Sequence, residues 1–117
     1  MGLESFLVVS AVLFAVGLYG ALTKRNGIAV LMCLELMFNA VNVAAVAMSR
    51  YAVPAGIAAD PAGAGEAAVQ FLLTGQVFAI FIITVAAAEV SLGLAIVMSL
   101  YRKRGSVFVT DAAELRN

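Results

Sequence analysis

The chain has 117 residues, 64% hydrophobic and 12% charged, and its seven basic and seven acidic side chains cancel. A soluble domain carries roughly 25% charged residues, so this composition, with a mean hydropathy of +1.08, is that of a membrane protein. Histidine is absent and Cys33 is the single cysteine, which excludes an internal disulfide framework and argues against a protein-ligated metal or haem. There is no Gly-rich phosphate loop and no nucleophile–base pair, so the chain alone lacks the parts of an enzyme. Its few cations flank apolar runs, which gives no support to nucleic-acid binding.

The first predicted span covers residues 3–22, about 20 residues and enough for a hydrocarbon core of roughly 30 Å. Glu4 precedes the apolar run and Lys24 and Arg25 follow it. A cleavable signal has the reverse charge order, so a retained span is expected. Ser10, Gly17, Gly20 and Ala21 fall near one helical face, a pattern that lets a neighbouring helix approach closely. The polar turn Thr23-Lys24-Arg25-Asn26-Gly27 ends the span.

The second predicted span covers residues 28–49 and contains Leu31-Met32-Cys33-Leu34-Glu35-Leu36-Met37-Phe38-Asn39-Ala40-Val41-Asn42. Glu35, Asn39 and Asn42 lie at i, i+4 and i+7 and so share one face. That face should look into a helix bundle or a hydrated cavity, because polar groups are costly against lipid tails. The two asparagines suit either interhelical hydrogen bonding or the lining of a proton path. Glu35 points more strongly to a path, since no predicted span contains a lysine or arginine to neutralise it.

Residues 50–74 read as a long loop of low complexity, rich in Ala and Gly with Pro54 and Pro61, and able to close through a short interfacial helix near Glu66–Leu73. An apolar stretch from Val69 to Tyr101 would make one helix of about 50 Å, too long for an untilted crossing. Thr74-Gly75-Gln76 is the expected break, which leaves a third span over residues 77–101. Glu89 then sits near mid-membrane, with Ala86 and Gly93 leaving room beside it. The tail, residues 102–117, begins Arg102-Lys103-Arg104 and is polar, as expected of a segment docked on the membrane surface or a neighbour.

The fold expected is therefore an all-α membrane protein, a single domain of three transmembrane helices. Lys24, Arg25, Arg102, Lys103, Arg104 and Arg116 fall on one side and only Arg50 on the other. The positive-inside rule puts the C-terminus in the cytoplasm and the N-terminus and long loop outside.

An ionised side chain near the bilayer centre costs roughly 2.5–3.5 kcal/mol on insertion scales, so such residues usually mark ion or proton paths. A carboxyl group away from water can load and release a proton as its surroundings change. Two on adjacent helices would titrate as a coupled pair. Three helices enclose little interior, so an obligate subunit of a larger membrane complex is expected.

At these residues the sequence resembles a known family. Gly17-Leu18-Tyr19-Gly20, Lys24-Arg25-Asn26, Met32-Cys33-Leu34-Glu35-Leu36-Met37, Asn39-Ala40-Val41-Asn42, Gly75-Gln76-Val77-Phe78, Ala86-Ala87-Ala88-Glu89 and Gly93-Leu94-Ala95-Ile96 carry the resemblance in order over most of the chain. Together they are similar to the K subunit of the proton-translocating NADH–quinone oxidoreductase (NuoK-type, respiratory complex I) and its photosynthetic relatives. The resemblance implies a multi-pass membrane-arm subunit of a redox-driven proton pump in a cytoplasmic or other energy-transducing membrane. It implies that Glu35 and Glu89 belong to the proton-relay groups of that arm and that Lys24 and Arg25 support coupled activity. It also implies that this chain holds no cofactor, with quinone and redox centres in partner subunits. Lys24 departs from the paired arginines of many members, keeping the charge but losing the bidentate fork. The 50–74 loop is longer than usual.

The nearest alternative is the related C-type subunit of a multi-subunit sodium/proton antiporter, which generally lacks the Ala-Ala-Ala-Glu feature of the third span. A self-assembling proton carrier or small drug exporter is more distant, disfavoured by the odd number of spans and the second carboxylate.

Overall fold

A computed structural model describes residues 2–51, 62, 64–105 and 107–112. The centre of the predicted 50–74 loop and the final residues 113–117 of the tail lie outside the described residues. The chain folds as α1 (Leu3–Thr23), α2 (Gly27–Tyr51), α3 (Ala64–Arg104) and a single turn, α4 (Val109–Ala112). The first three are each long and apolar enough to cross a membrane. In a bilayer a helix satisfies its own backbone polar groups, which is why apolar runs of this length adopt it. Among the described residues the only β-type pairing is an isolated antiparallel bridge between Asn26 and Phe108.

The long helices lie in a row rather than in a closed bundle, with α2 in the middle packed against both α1 and α3. The molecule is 65 Å long and about 22–23 Å across. Large apolar side chains on the outer helices, including Val12, Tyr19 and Leu22 on α1 and Val77, Phe81 and Leu92 on α3, are more than half exposed. Surfaces this apolar require lipid or protein around them.

The small-residue face of α1 is the one that meets α2: Ser10, Gly17 and Gly20 are all buried. The Ser10 hydroxyl donates to the carbonyl oxygen of Ala40 at 2.6 Å, and Ala40 is fully buried. A Cβ at Gly17 would lie 2.7 Å from Met37 Cγ and 2.8 Å from the Cys33 carbonyl oxygen, so the two backbones meet where any side chain would intrude.

The expected break at Thr74-Gly75-Gln76 does not occur. The third helix runs unbroken over 41 residues, about 60 Å at 1.5 Å per residue, so it reaches well past a hydrocarbon core of roughly 30 Å. Glycine inside a helix costs only about 1 kcal/mol relative to alanine, and here packing overrides it. Gly75 sits against Ser49 near the end of α2, where an added Cβ would overlap the serine side chain. The short interfacial helix expected near Glu66–Leu73 is instead the continuous start of α3, which takes in residues 64–74 of the predicted loop, and α2 extends to Tyr51. The ring of Tyr51 stacks on Phe6 of α1, with centroids 5.8 Å apart.

At the other end of α2 the turn is tightly specified. Asn26 caps the helix, its side-chain oxygen accepting from the Ile28 N–H at 3.0 Å. Gly105, at φ +69°, terminates α3 in the left-handed conformation that glycine tolerates, its N–H donating to the Tyr101 carbonyl at 2.7 Å. The chain then folds back on the first turn. The Gly27 N–H donates to the Val107 carbonyl and the Val109 N–H to the Arg25 carbonyl, both at 2.8 Å. The start of the tail thus docks on the chain's own α1–α2 turn, and Lys24, Arg25 and Arg102–Arg104 gather at one end of the molecule. Arg50 lies at the opposite end of α2.

Candidate functional site

Gly75, Ala79, Ala86 and Gly93 form a stripe of small residues along α3, of which Ala79 and Ala86 are almost completely buried. Gly93 receives Leu31 of α2. Glu89 comes three residues after Ala86, about 60° around the helix from that stripe at 100° per residue. It therefore stands at the rim of the α2–α3 seam, and it is exposed. On α2, Glu35 is half-buried and faces the same seam.

Both carboxylates line one cavity of about 290 Å³ between α2 and α3. Its other walls include Leu31, Leu34, Phe38, Val90 and Ile96, all apolar, and among the described residues no lysine or arginine lines it. Glu35 Oε2 is sealed from solvent and has no hydrogen-bond partner.

The hydroxyls of the spans are treated differently. Thr84 donates to the Ile80 carbonyl and Ser91 to the Ala87 carbonyl, each at 2.9 Å. These groups are satisfied within their own helix and need nothing from outside. A buried acceptor without a donor is costly, and a carboxylate accepts only, whereas a carboxylic acid can also donate. The Glu35 oxygen is thus a polar demand that the α2–α3 seam itself leaves unmet. The arrangement brings two carboxyl groups to one small, otherwise apolar cleft.

The remaining predicted residues separate. Asn42 does not line the carboxylate cavity but a second groove of about 330 Å³, together with Phe6, Val46, Arg50, Tyr51 and Ala79. Its Oδ1 is likewise buried without a partner. Asn39 is exposed on the outside of α2 and joins neither cavity. The shared face expected for Glu35, Asn39 and Asn42 thus spreads over three environments, because an arc of about 60° is wide enough to straddle the edge of a helix contact. Lys24 and Arg25 are exposed in the turn, and the Arg25 backbone is held by the tail.

The docking of Val107–Val109 was not foreseen. The run Val107-Phe108-Val109, two residues after Gly105, is its one sequence signal, since β-branched and aromatic residues favour extended pairing.

Comparison with known proteins places the chain in a family. The model of NADH-ubiquinone/plastoquinone oxidoreductase chain 4L matches residues 5–117. The NADH-quinone oxidoreductase subunit K of Geobacillus sp. (strain WCH70) is 46% identical over 115 residues, covering 98% of this chain and 95% of that protein. The subunit K of Desulfitobacterium hafniense is 48% identical over 111 residues, 95% of this chain and 91% of its own. The NAD(P)H-quinone oxidoreductase subunit 4L of Synechococcus sp. (strain JA-3-3Ab) is 47% identical over 105 residues, 90% of this chain and 87% of its own. With three membrane-length helices and such relatives, this is a multi-pass protein of an energy-transducing membrane. The chain belongs to the chain 4L family of NADH-ubiquinone/plastoquinone oxidoreductases.

Proposed function

We propose that this chain is a membrane-arm subunit of a redox-driven proton pump and that Glu35 and Glu89 carry protons along its path. The observation that supports the relay is their placement in one apolar cavity, with an unmet oxygen on Glu35. The two carboxylates are not equivalent. Glu35 is enclosed between helices, while Glu89 opens towards whatever flanks α3. Glu35 is the internal station, and Glu89 exchanges protons with a neighbouring subunit or with water at that face.

Quinone and redox centres belong to partner subunits in this proposal, and the chain is a non-redox component of a translocase. Lys24 and Arg25 anchor or tune the cytoplasmic end; the basic residues gathered at the end bearing the turn and tail support reading that end as cytoplasmic. Cysteines introduced at positions 24 and 50 test that side assignment: an impermeant thiol reagent outside intact cells should label position 50 and spare position 24.

The function itself is tested by purifying the tagged chain with its partners and driving proton uptake by quinone reduction in inverted vesicles. Quinone-reductase subunits should co-purify, and Glu35→Gln should abolish uptake in an assembled complex. Co-purification with antiporter subunits, or normal pumping by Glu35→Gln and Glu89→Gln, would overturn the proposal.

A further inference from the structure

The carboxylate cavity is not isolated along the α2–α3 seam. A second crevice of about 240 Å³ lies between it and the turn end, floored by Gly27, Val97 and Leu100 and covered by Val107–Val109 of the tail. Leu31, Gly93 and Ile96 line both spaces. The separation is therefore one apolar contact thick. At its centre Leu31 rests on the backbone of α3, and a Cβ at Gly93 would lie 2.5 Å from Leu31 Cδ2. Beyond the crevice stand the polar Asn26 cap and the exposed Lys24 and Arg25.

We infer that Leu31, seated on Gly93, is an apolar plug between the Glu35–Glu89 cavity and the basic end of the molecule. Wetting of this contact connects the carboxylates to water at that end, and drying disconnects them. Narrow apolar constrictions in membrane proteins conduct or block by such wetting and dewetting. Glycine at 93 lets leucine lie directly against the backbone of α3, and leucine has the rotamer freedom to clear it. When the contact is wet, hydronium at the turn end passes a proton along water to a carboxylate oxygen, leaving water behind. No oxidant or reductant takes part. The inference rests on the relay proposed above, and it adds the side from which the relay is filled and the residue that controls filling.

The test uses the assembled complex in inverted vesicles carrying Leu31→Val, Leu31→Ala, Glu35→Gln and the double variant Leu31→Ala/Glu35→Gln. Two quantities are read: protons taken up per quinone reduced, and passive proton conductance without substrate. A smaller plug stays wet, so conductance should rise from Leu31→Val to Leu31→Ala, and the ratio should fall about twofold or more in Leu31→Ala. The double variant should return conductance towards that of the unmodified complex, because the leak runs through the carboxylate. If Leu31→Ala does not assemble, the milder Leu31→Val decides by the same two readings. Unchanged ratio and conductance in the assembled Leu31 variants would overturn the plug, as would a leak that persists after Glu35→Gln. Normal pumping by Glu35→Gln alone would sink the relay itself. Loss of pumping in Glu35→Gln with silent Leu31 variants would sink only the plug.

Discussion

The two faces of α2 solve opposite problems. Towards α1 the seam is closed: buried Ser10, Gly17 and Gly20 bring the backbones together, and the Ser10 hydroxyl bonds to the Ala40 carbonyl across it. Towards α3 the contact is intermittent. Small residues at Gly75, Ala79, Ala86 and Gly93 touch, and cavities open between the touching points. The buried polar groups differ as well. The Ser10 hydroxyl is met across the closed seam and Ser49, against α3, is met within its own helix, whereas Glu35 and Asn42 each keep a buried acceptor without a partner. An unmet acceptor inside an otherwise apolar seam costs stability, and the proposed relay gives Glu35 a reason to bear that cost.

The contrast is broken most severely from the closed side. Gly17→Leu places a large side chain where even a Cβ meets Met37 and Cys33. Overpacking typically costs about 1–3 kcal/mol, and a helix–helix backbone contact has less room to adjust than a side-chain core. Assembled complex on native gels should drop to a trace. On the open side, Glu35→Gln should leave assembly intact and lower quinone-driven proton uptake about a hundredfold or more, effectively abolishing it, the scale expected when a proton-transfer group is removed. Glu89→Gln, at the exposed rim, should have the smaller effect of the two in the same vesicle assay.

Ser10→Ala sharpens the comparison further. It removes one interhelical hydrogen bond, worth about 0.5–1 kcal/mol in membranes, and leaves both cavities as they are. A slightly lower unfolding midpoint in detergent with an unaltered proton-to-quinone ratio is the expected result. Smallest of all is Asn39→Leu. Asn39 lies outside both seams, so neither the detergent midpoint nor the ratio should shift measurably. A clear loss of pumping there would show that a polar path runs over the outer face of α2.

Hydropathy made the three spans visible, because each must satisfy its backbone within a run of apolar residues. The packing face of α1 was equally legible, since Ser10, Gly17 and Gly20 leave little doubt where a second helix can approach. The start of α3 was not. Gly75 reads as a breaker, but its role is decided by Ser49, a residue of another helix that local sequence cannot bring to it. Glu35 and Glu89 could each be chosen from charge and depth alone. That they line one cavity depends on the relative rotation of α2 and α3, set by the Leu31–Gly93 and Ser49–Gly75 contacts rather than by either helix. The same rotation separates Asn42 from Glu35 although their spacing puts them on one face.

The central claim is that Glu35 gains and loses a proton during turnover. Infrared difference spectra of the assembled complex, recorded with and without quinone reduction, detect the carbonyl stretch of a protonated carboxyl group directly. The account predicts a carboxylic-acid band that changes with turnover and disappears in Glu35→Gln. A turnover spectrum with the same carboxylic-acid bands in the unmodified and Glu35→Gln complexes would contradict it.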